Sequence, residues 1–340
     1  MLIVLRPDST REQRQRLVRV LEQAGLAVGI SQAGPRTLLD VTGAIGPLRD
    51  LAVDRFAGVE RVIPLEIPYP LASRATQPED TSFAIGAARF GGNGLTIIAG
   101  PCAVEDGDVL VEIARAARAA GAQVLRGGAF KPRTTPYHFQ GLGEAGLRML
   151  RDAGHDAGLA VVTEAMDTRH IGLVAEYADM IQIGSRNMQN YALLKAVAET
   201  GMPVLLKRGR ACTVEEWLCA AEYLLAGGNR NVALCERGLV SFDAAVRNHL
   251  DLSCVPLVKR LSHLPVIVDP SHGTGRSELV PAMARAAVAA GADGVMVEIH
   301  PNPEEARSDA RQAVHPDELA QLVPDLVAIH EITRKTILSG

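Results

Sequence analysis

The chain has 340 residues and a mass of 36.1 kDa, room for one large barrel or for two domains. Apolar residues make up 47% and charged residues 22%, the balance of a globular protein with a sizeable core. A formal net charge of −4 and a pI near 6.2 argue against a nucleic-acid-binding surface, and they make any local cluster of Arg and Lys informative.

No run approaches the roughly 18 apolar residues that cross a bilayer. The apolar stretch ahead of Arg6 is too short for a secretory signal. The five cysteines (Cys102, Cys212, Cys219, Cys235 and Cys254) are odd in number and form no CxxC pair. Reduced thiols, a cytoplasmic location and no membrane partner are the expectation.

Residues 2–5 (LIVL) read as a strand. Residues 10–24 read as a helix with Leu17, Val18 and Leu21 on one face, closed by Gly25. Strands follow at 27–31 and 36–41 across a Gly-Pro turn, then a short helix at 47–56 and a strand at 59–63. The order βαββαβ is the ferredoxin-like split arrangement. It places a small domain at residues 1–66, either structural or a ligand sensor. Residues 67–80 (IPYPLASRATQPED) read as a linker. Two short hairpin-like runs follow, at 83–85 and 89–90.

From Thr96 onward, strand-like runs alternate with helical periodicity. The strands are expected at 96–100, 124–128, 160–164, 180–184, 204–208, 232–237, 266–270 and 294–300. Helical patterns lie between them, as at 109–120, 143–154, 213–226 and 279–290. Eight β/α units in about 240 residues is the count and length of a TIM barrel, so the expected fold is α/β, a (β/α)8 TIM barrel over 81–340 behind the small domain. A doubly wound open sheet is the alternative, but it has fewer strands and a single glycine-rich fingerprint after its first.

In such a barrel the active site sits at the C-terminal strand ends. Here all eight carry charged or ligating groups, hard to explain as structure because burying uncompensated charge is costly. The first strand ends in AGPCAVE, with Cys102 and Glu105. The second ends in LRGGAFKPRTTPY, with Arg126, Lys131 and Arg133 on a glycine-hinged loop suited to a small anion. VTEAMD brings Glu164 and Asp167, IQIGSRNMQN Arg186, LLKRG Lys207 and Arg208, and LCERG Glu236 and Arg237. VDPSHGTGR brings Asp269, His272 and Arg276. VEIHPNPEEARSDA brings Glu298, His300 and Asp309.

Six cations (Arg126, Lys131, Arg133, Arg186, Lys207 and Arg237) converging on one mouth exceed what one phosphate needs, which implies a bis-anionic site. The backbone around Gly184 and Ser185 adds a phosphate cradle. Ion pairing with Glu164, Glu236 or Asp269 is the bland reading of one or two of these cations. Cys102, His272, Glu298 and Asp309 form a mixed S, N, O, O set that suits a divalent metal of the Mn, Fe, Co or Zn class, with His300 as a substitute ligand. The other four cysteines read as packing residues.

The runs GPCAVE, LRGGAFKPRTTPY, IQIGSRNMQN, LLKRG, CERG, VDPSHGTGR and VEIHPNP with SDARQ resemble 3-deoxy-D-arabino-heptulosonate 7-phosphate (DAHP) synthases from about residue 67 to the end. KPRT is the specific part, because the sister enzyme, 3-deoxy-manno-octulosonate 8-phosphate synthase, carries alanine-asparagine-arginine after that lysine. The resemblance implies condensation of phosphoenolpyruvate with D-erythrose 4-phosphate and water, at the entry to the shikimate pathway. By motif position, Arg126, Lys131, Gly184, Ser185, Arg186, Lys207 and Arg237 would hold phosphoenolpyruvate. Arg133, Thr134 and Asp309 would hold erythrose 4-phosphate, and Cys102, His272, Glu298 and Asp309 the metal. Lys131, Glu164 and His272 are the catalytic candidates, Lys131 as proton donor and Glu164 as the group that activates water.

The small domain resembles that of the subgroup inhibited by an aromatic amino acid, and a homodimer or homotetramer is expected. Two departures are Ser185, where alanine is usual, and the variable GTG after His272. The competing readings are the octulosonate phosphate synthase, which KPRT disfavours, and a metal-dependent aldolase, which does not need so many cations. A decayed barrel acting as an aromatic amino acid sensor is disfavoured by the complete donor and cation sets. A chorismate mutase fusion is disfavoured because the extra domain is β-rich.

Overall fold

The architecture is that of a computed structural model whose described residues are 1–42, 52–63, 67–133 and 135–338, with side chains as far as 333. The chain divides into two compact units, Met1–Glu79 and Asp80–Gly340.

The first unit is a four-stranded antiparallel sheet in the order β2-β3-β1-β4, from β1 (Leu2–Leu5), β2 (Ala27–Ala33), β3 (Arg36–Thr42) and β4 (Val59–Ile63). One helix, α1 (Arg11–Gln23), covers a face. Thr10 starts it with a capping box, accepting from the Gln13 amide while the Gln13 side chain accepts from the Thr10 amide. Its apolar stripe buries Leu17 and Leu21 against Ile3, Leu39 and Val41. The expected helix at 47–56 falls mostly outside the described residues; its described end is a single 3-10 turn, Val53–Arg55. Residues 67–80, expected as a linker, are partly built into the unit: Ile67, Leu71 and Ala75 pack on Leu2, Val4, Leu38 and Ile63, on the other sheet face.

The second unit is a closed barrel. Its strands are β7 (Thr96–Gly100), β8 (Val124–Arg126), β9 (Ala160–Glu164), β10 (Met180–Ile183), β11 (Val204–Lys207), β12 (Val232–Glu236), β13 (Val266–Val268) and β14 (Gly294–Glu298), all parallel. Closure comes from β14 against β7, in register from Gly294 opposite Thr96 to Glu298 opposite Gly100. The surrounding helices are α2 (Gly107–Ala119), α3 (Glu144–Asp156), α4 (Ile171–Tyr177), α5 (Tyr191–Glu199), α6 (Val214–Ala226), α7 (Cys254–Leu261), α8 (Pro270–Thr274), α9 (Val280–Ala289) and α10 (Pro316–Leu338). A hairpin of β5 (Phe83–Ile85) and β6 (Ala88–Phe90) adds Phe83 and Phe90, stacked at 5.1 Å, to the interior cluster containing Ile98, Met180, Leu205 and Met296. It plugs the barrel.

Strand and helix ends follow local chemistry. The strand expected at 266–270 stops at Val268, because Asp269 caps α8 and Pro270 occupies its first turn. The capping box of Thr213 and Glu216 starts α6. The fully buried Trp217 on that helix donates its indole N–H to the Leu206 carbonyl at 3.1 Å, tying α6 to β11. Among the described residues, no helix is long and apolar enough to cross a membrane.

Candidate active site

The carboxyl ends of the barrel strands surround a cavity of about 280 Å³. All six cations expected at the rim line it, together with Glu164, Gly184, Ser185, His272 and Asp309. Strand alternation explains part of this selection. Lys207 at the end of β11 faces the cavity, whereas its neighbour Arg208 turns away to Glu236 at 3.0 Å and Asp251 at 2.9 Å.

Two glycines make the cavity possible by close approach. A Cβ at Gly184 would lie 2.0 Å from a Glu164 carboxylate oxygen, so only a hydrogen fits between β10 and that group. A Cβ at Gly128 would lie 2.6 Å from the Lys131 side chain and 2.9 Å from the Cys102 carbonyl. The lysine therefore lies flat on the backbone and donates to the Cys102 carbonyl at 2.7 Å, its ammonium 3.1 Å from the Cys102 sulfur.

Burial raises the Glu164 carboxyl above the ordinary carboxylate range, against the pull of Lys131, Lys207, Arg126 and Arg186. Burial acts the same way on Asp269, but there His272, Lys207 and Arg126 outweigh it and hold the carboxyl well below that range. For Arg237, burial lowers the proton affinity, and the nearby Arg247 and Arg210 push the same way against Asp269. A buried arginine crowded by other arginines is the electrostatic mark of a place for an anion.

Behind the cations, Cys102, His272, Glu298 and Asp309 form a group whose ligating atoms all lie within 4.8 Å of one another. Cys102 Sγ is 3.2 Å from Asp309 Oδ2, and His272 Nε2 is 3.4 Å from Glu298 Oε1 and 4.0 Å from Asp309 Oδ2. Each donor is held from behind. The Gln312 amide donates to Glu298 Oε2 at 2.6 Å, Arg126 pairs with Glu298 Oε1, and Arg247 reaches Asp309 Oδ1 at 3.2 Å. Burial pushes the Cys102 thiol up to about 12, aided by Glu298. One thiol, one imidazole and two carboxylates, converging and braced, fit a divalent metal of borderline softness.

The profile of the DAHP synthetase I family matches residues 77–334, and that of the DAHP synthase ferredoxin-like domain matches residues 1–66. The chain belongs to the DAHP synthetase I family. A phospho-2-dehydro-3-deoxyheptonate aldolase of Thermotoga maritima is 47% identical over 329 residues, covering 96% of each chain. The crystal structure of the DAHP synthase from Thermotoga maritima superposes with a TM-score of 0.76 at 45% identity, covering 96% of this chain and 97% of that one. A 2-dehydro-3-deoxyphosphooctonate aldolase of Nitratidesulfovibrio vulgaris is 35% identical and covers 74% of this chain, with 96% of its own length matched.

Within this DAHP synthase barrel, several rim residues named from sequence do other work. Glu105 accepts from the Arg307 amide, at 3.0 and 2.9 Å, and Asp167 caps a turn and pairs with Arg169 at 2.7 Å. Arg276 pairs with Glu278 at 2.5 Å, and Glu236 clamps Arg208. His300 stands outside the four-donor group, its Nδ1 accepting from the Asn302 amide at 3.1 Å. Thr134 lies outside the described residues.

Sequence reading missed four residues that line the cavity: His138, Gln182, Arg210 and Arg247. It also gave no role to Gln312, whose amide accepts from Arg247 at 2.7 Å while donating to Glu298. The Arg247 loop carries no strand or helix periodicity, so nothing pointed it toward the mouth. Gln312 closes the quoted SDARQ run, the one signal available.

Proposed function

We propose that the chain condenses phosphoenolpyruvate with D-erythrose 4-phosphate and water to give DAHP and inorganic phosphate, the first step of the shikimate route to aromatic amino acids. The observation that carries this reading is a single cavity in which six cations stand beside the Cys102, His272, Glu298 and Asp309 group. Phosphoenolpyruvate brings a phosphate and a carboxylate, the sugar brings a second phosphate, and both need cations.

Arg126, Lys131, Arg186, Lys207 and Arg237, with the Gly184–Ser185 backbone, hold phosphoenolpyruvate. Arg133 and Thr134 of KPRT, with Asp309, hold erythrose 4-phosphate. Cys102, His272, Glu298 and Asp309 would hold a divalent ion of the Mn, Fe, Co or Zn class, which would supply Lewis-acid polarisation of the aldehyde carbonyl. C3 of phosphoenolpyruvate attacks the aldehyde carbon, and Lys131 delivers a proton to the oxygen that becomes a hydroxyl. Its ammonium already sits against the donor group. Glu164 orients water and takes its proton as the water adds at C2, and the C2–phosphate ester bond then breaks. Its raised proton affinity favours taking that proton.

In this reading residues 1–66 are regulatory, 67–80 a linker and 81–340 catalytic. On the small unit, a cavity of about 660 Å³ is lined by Arg11, Arg14, Arg19, Val18 and Ile30. Cations beside apolar surface suit the carboxylate and ring of an aromatic amino acid inhibitor. A cytoplasmic homodimer or homotetramer completes the reading.

The test is phosphate release from phosphoenolpyruvate, with and without erythrose 4-phosphate, in metal-stripped and reloaded protein. Erythrose-dependent release restored by metal is expected; none under any metal rejects the reading. Octulosonate phosphate synthesis is the second reading, favoured by the 35% identical relative. Replacing erythrose 4-phosphate by arabinose 5-phosphate decides between them. Arg133→Ala should raise KM for erythrose 4-phosphate by about tenfold or more while leaving KM for phosphoenolpyruvate within about twofold. Equal changes in both KM values would remove Arg133 from the sugar-phosphate role.

A further inference from the structure

Asp269 sits at the end of β13 with no exposed surface and accepts three hydrogen bonds. Oδ2 accepts from Lys207 Nζ at 2.5 Å and from His272 Nδ1 at 2.8 Å; Oδ1 accepts from the His272 backbone amide at 2.9 Å. All three partners are donors, so both oxygens must be acceptors. A carboxylate can only accept, which places the imidazole proton on Nδ1 and leaves the Nε2 lone pair facing Glu298 and Asp309. The other partner, Lys207, lines the cavity with Arg186 and Arg237.

We infer that Asp269 is a positioning residue shared by two subsites: one carboxylate sets the His272 tautomer for the metal and fixes the Lys207 ammonium for phosphoenolpyruvate. The inference rests on the metal and phosphoenolpyruvate subsites proposed above. It adds a coupling that neither set of residues contains alone.

The bland alternative is that Asp269 only caps the short turn Pro270–Thr274. The two roles separate on Asp269→Asn. Asparagine caps a helix as well as aspartate does, so a pure cap survives the change. It cannot be cap and shared acceptor at once, because its one oxygen, kept on the His272 amide as a cap, leaves the NH₂ against Lys207 Nζ and His272 Nδ1, which are donors too.

The experiment uses the full chain, stripped of metal. Co²⁺ binding is read from the thiolate-to-cobalt absorption of Cys102, and phosphoenolpyruvate binding from calorimetry. Wild type binds both; if it binds neither, the reading of the site itself is wrong. In Asp269→Asn, Co²⁺ affinity should fall about 10- to 100-fold and phosphoenolpyruvate affinity about tenfold. Lys207→Met, which leaves the His272 contacts in place, should weaken phosphoenolpyruvate alone. Because Asp269→Asn strands a buried lysine and risks misfolding, the Lys207→Met/Asp269→Asn pair is compared with Lys207→Met. The double variant should lose the same 10- to 100-fold in Co²⁺ affinity. If it binds Co²⁺ as Lys207→Met does, Asp269 is a cap and nothing more.

Discussion

Glu164 and Lys131, the two groups that move protons in the proposed mechanism, face opposite physical problems. The Glu164 carboxyl is buried among four cations, yet burial wins and its proton affinity rises. A carboxyl that binds its proton more tightly when folded contributes stability that is fully present below the unfolded pKa. That contribution is lost as pH rises through the higher folded value. Glu164→Gln, which cannot ionise, should therefore gain on wild type as pH rises. Urea denaturation at about pH 4 and about pH 7 should show the stability difference moving in the variant's favour at the higher pH. A difference that is flat or moves the other way would mean the four cations prevail over burial. Lys131 lies pinned on the Cys102 carbonyl, so its ammonium has one place to be. Lys131→Met should lower kcat by about 10²- to 10⁴-fold and reshape the pH–rate profile. Full turnover with an unchanged profile would end its role as proton donor.

Individual residues were legible where a strand end announced them. All six cations and all four donors stand at the end of a barrel strand or on the loop that follows it, and the fold gathers them at one mouth. Reading every strand end as rim over-read Arg208 and Glu236, because side chains at successive positions alternate between cavity and outer wall, and Asp167, which caps a turn beyond its strand. It under-read Arg247, which reaches the mouth from a loop with no period to follow, and Gln312, which is buried behind Glu298.

Among the elements, the β5–β6 hairpin does the most for its size. Only six residues long in its strands, it inserts Phe83 and Phe90 into the barrel interior. Phe90 is fully buried there, and truncating it leaves a cavity that the surrounding strands cannot close. Phe90→Ala should cost about 3–5 kcal/mol of stability, measured by denaturant unfolding of the barrel. A loss below about 1 kcal/mol, the range of a surface change, would show the hairpin to be dispensable packing. Strand and helix order in the barrel was readable from alternation of period. The precise end of β13 was not, since Asp269 and Pro270 impose a helix start on an apolar run. The packing of Ile67, Leu71 and Ala75 was also hidden, because proline-rich composition speaks for a linker while single apolar residues within it find a sheet face.

At the scale of the molecule, a chain of net charge −4 concentrates cations in one mouth. Two anionic substrates are drawn to that mouth by a field that salt screens over a Debye length of about 10 Å at 0.1 M. The value of kcat/KM for phosphoenolpyruvate should fall as ionic strength rises. Arg210, exposed at the opening, should set part of that slope, so Arg210→Ala should flatten it while leaving kcat at high salt within about twofold. A slope untouched by the substitution would place the steering on the buried cations.

The barrel's closing seam runs between its first and last strands, β7 and β14. Cys102 follows the first strand and Glu298 ends the last; 207 positions separate Cys102 from Asp309 along the chain. An ion gripped by these donors is therefore a clasp on the ring, and no half-built barrel can offer it a complete grip. Refolding in the presence of Co²⁺ should develop the thiolate absorption only as the last unit docks, which turns the metal's colour into a clock for ring closure.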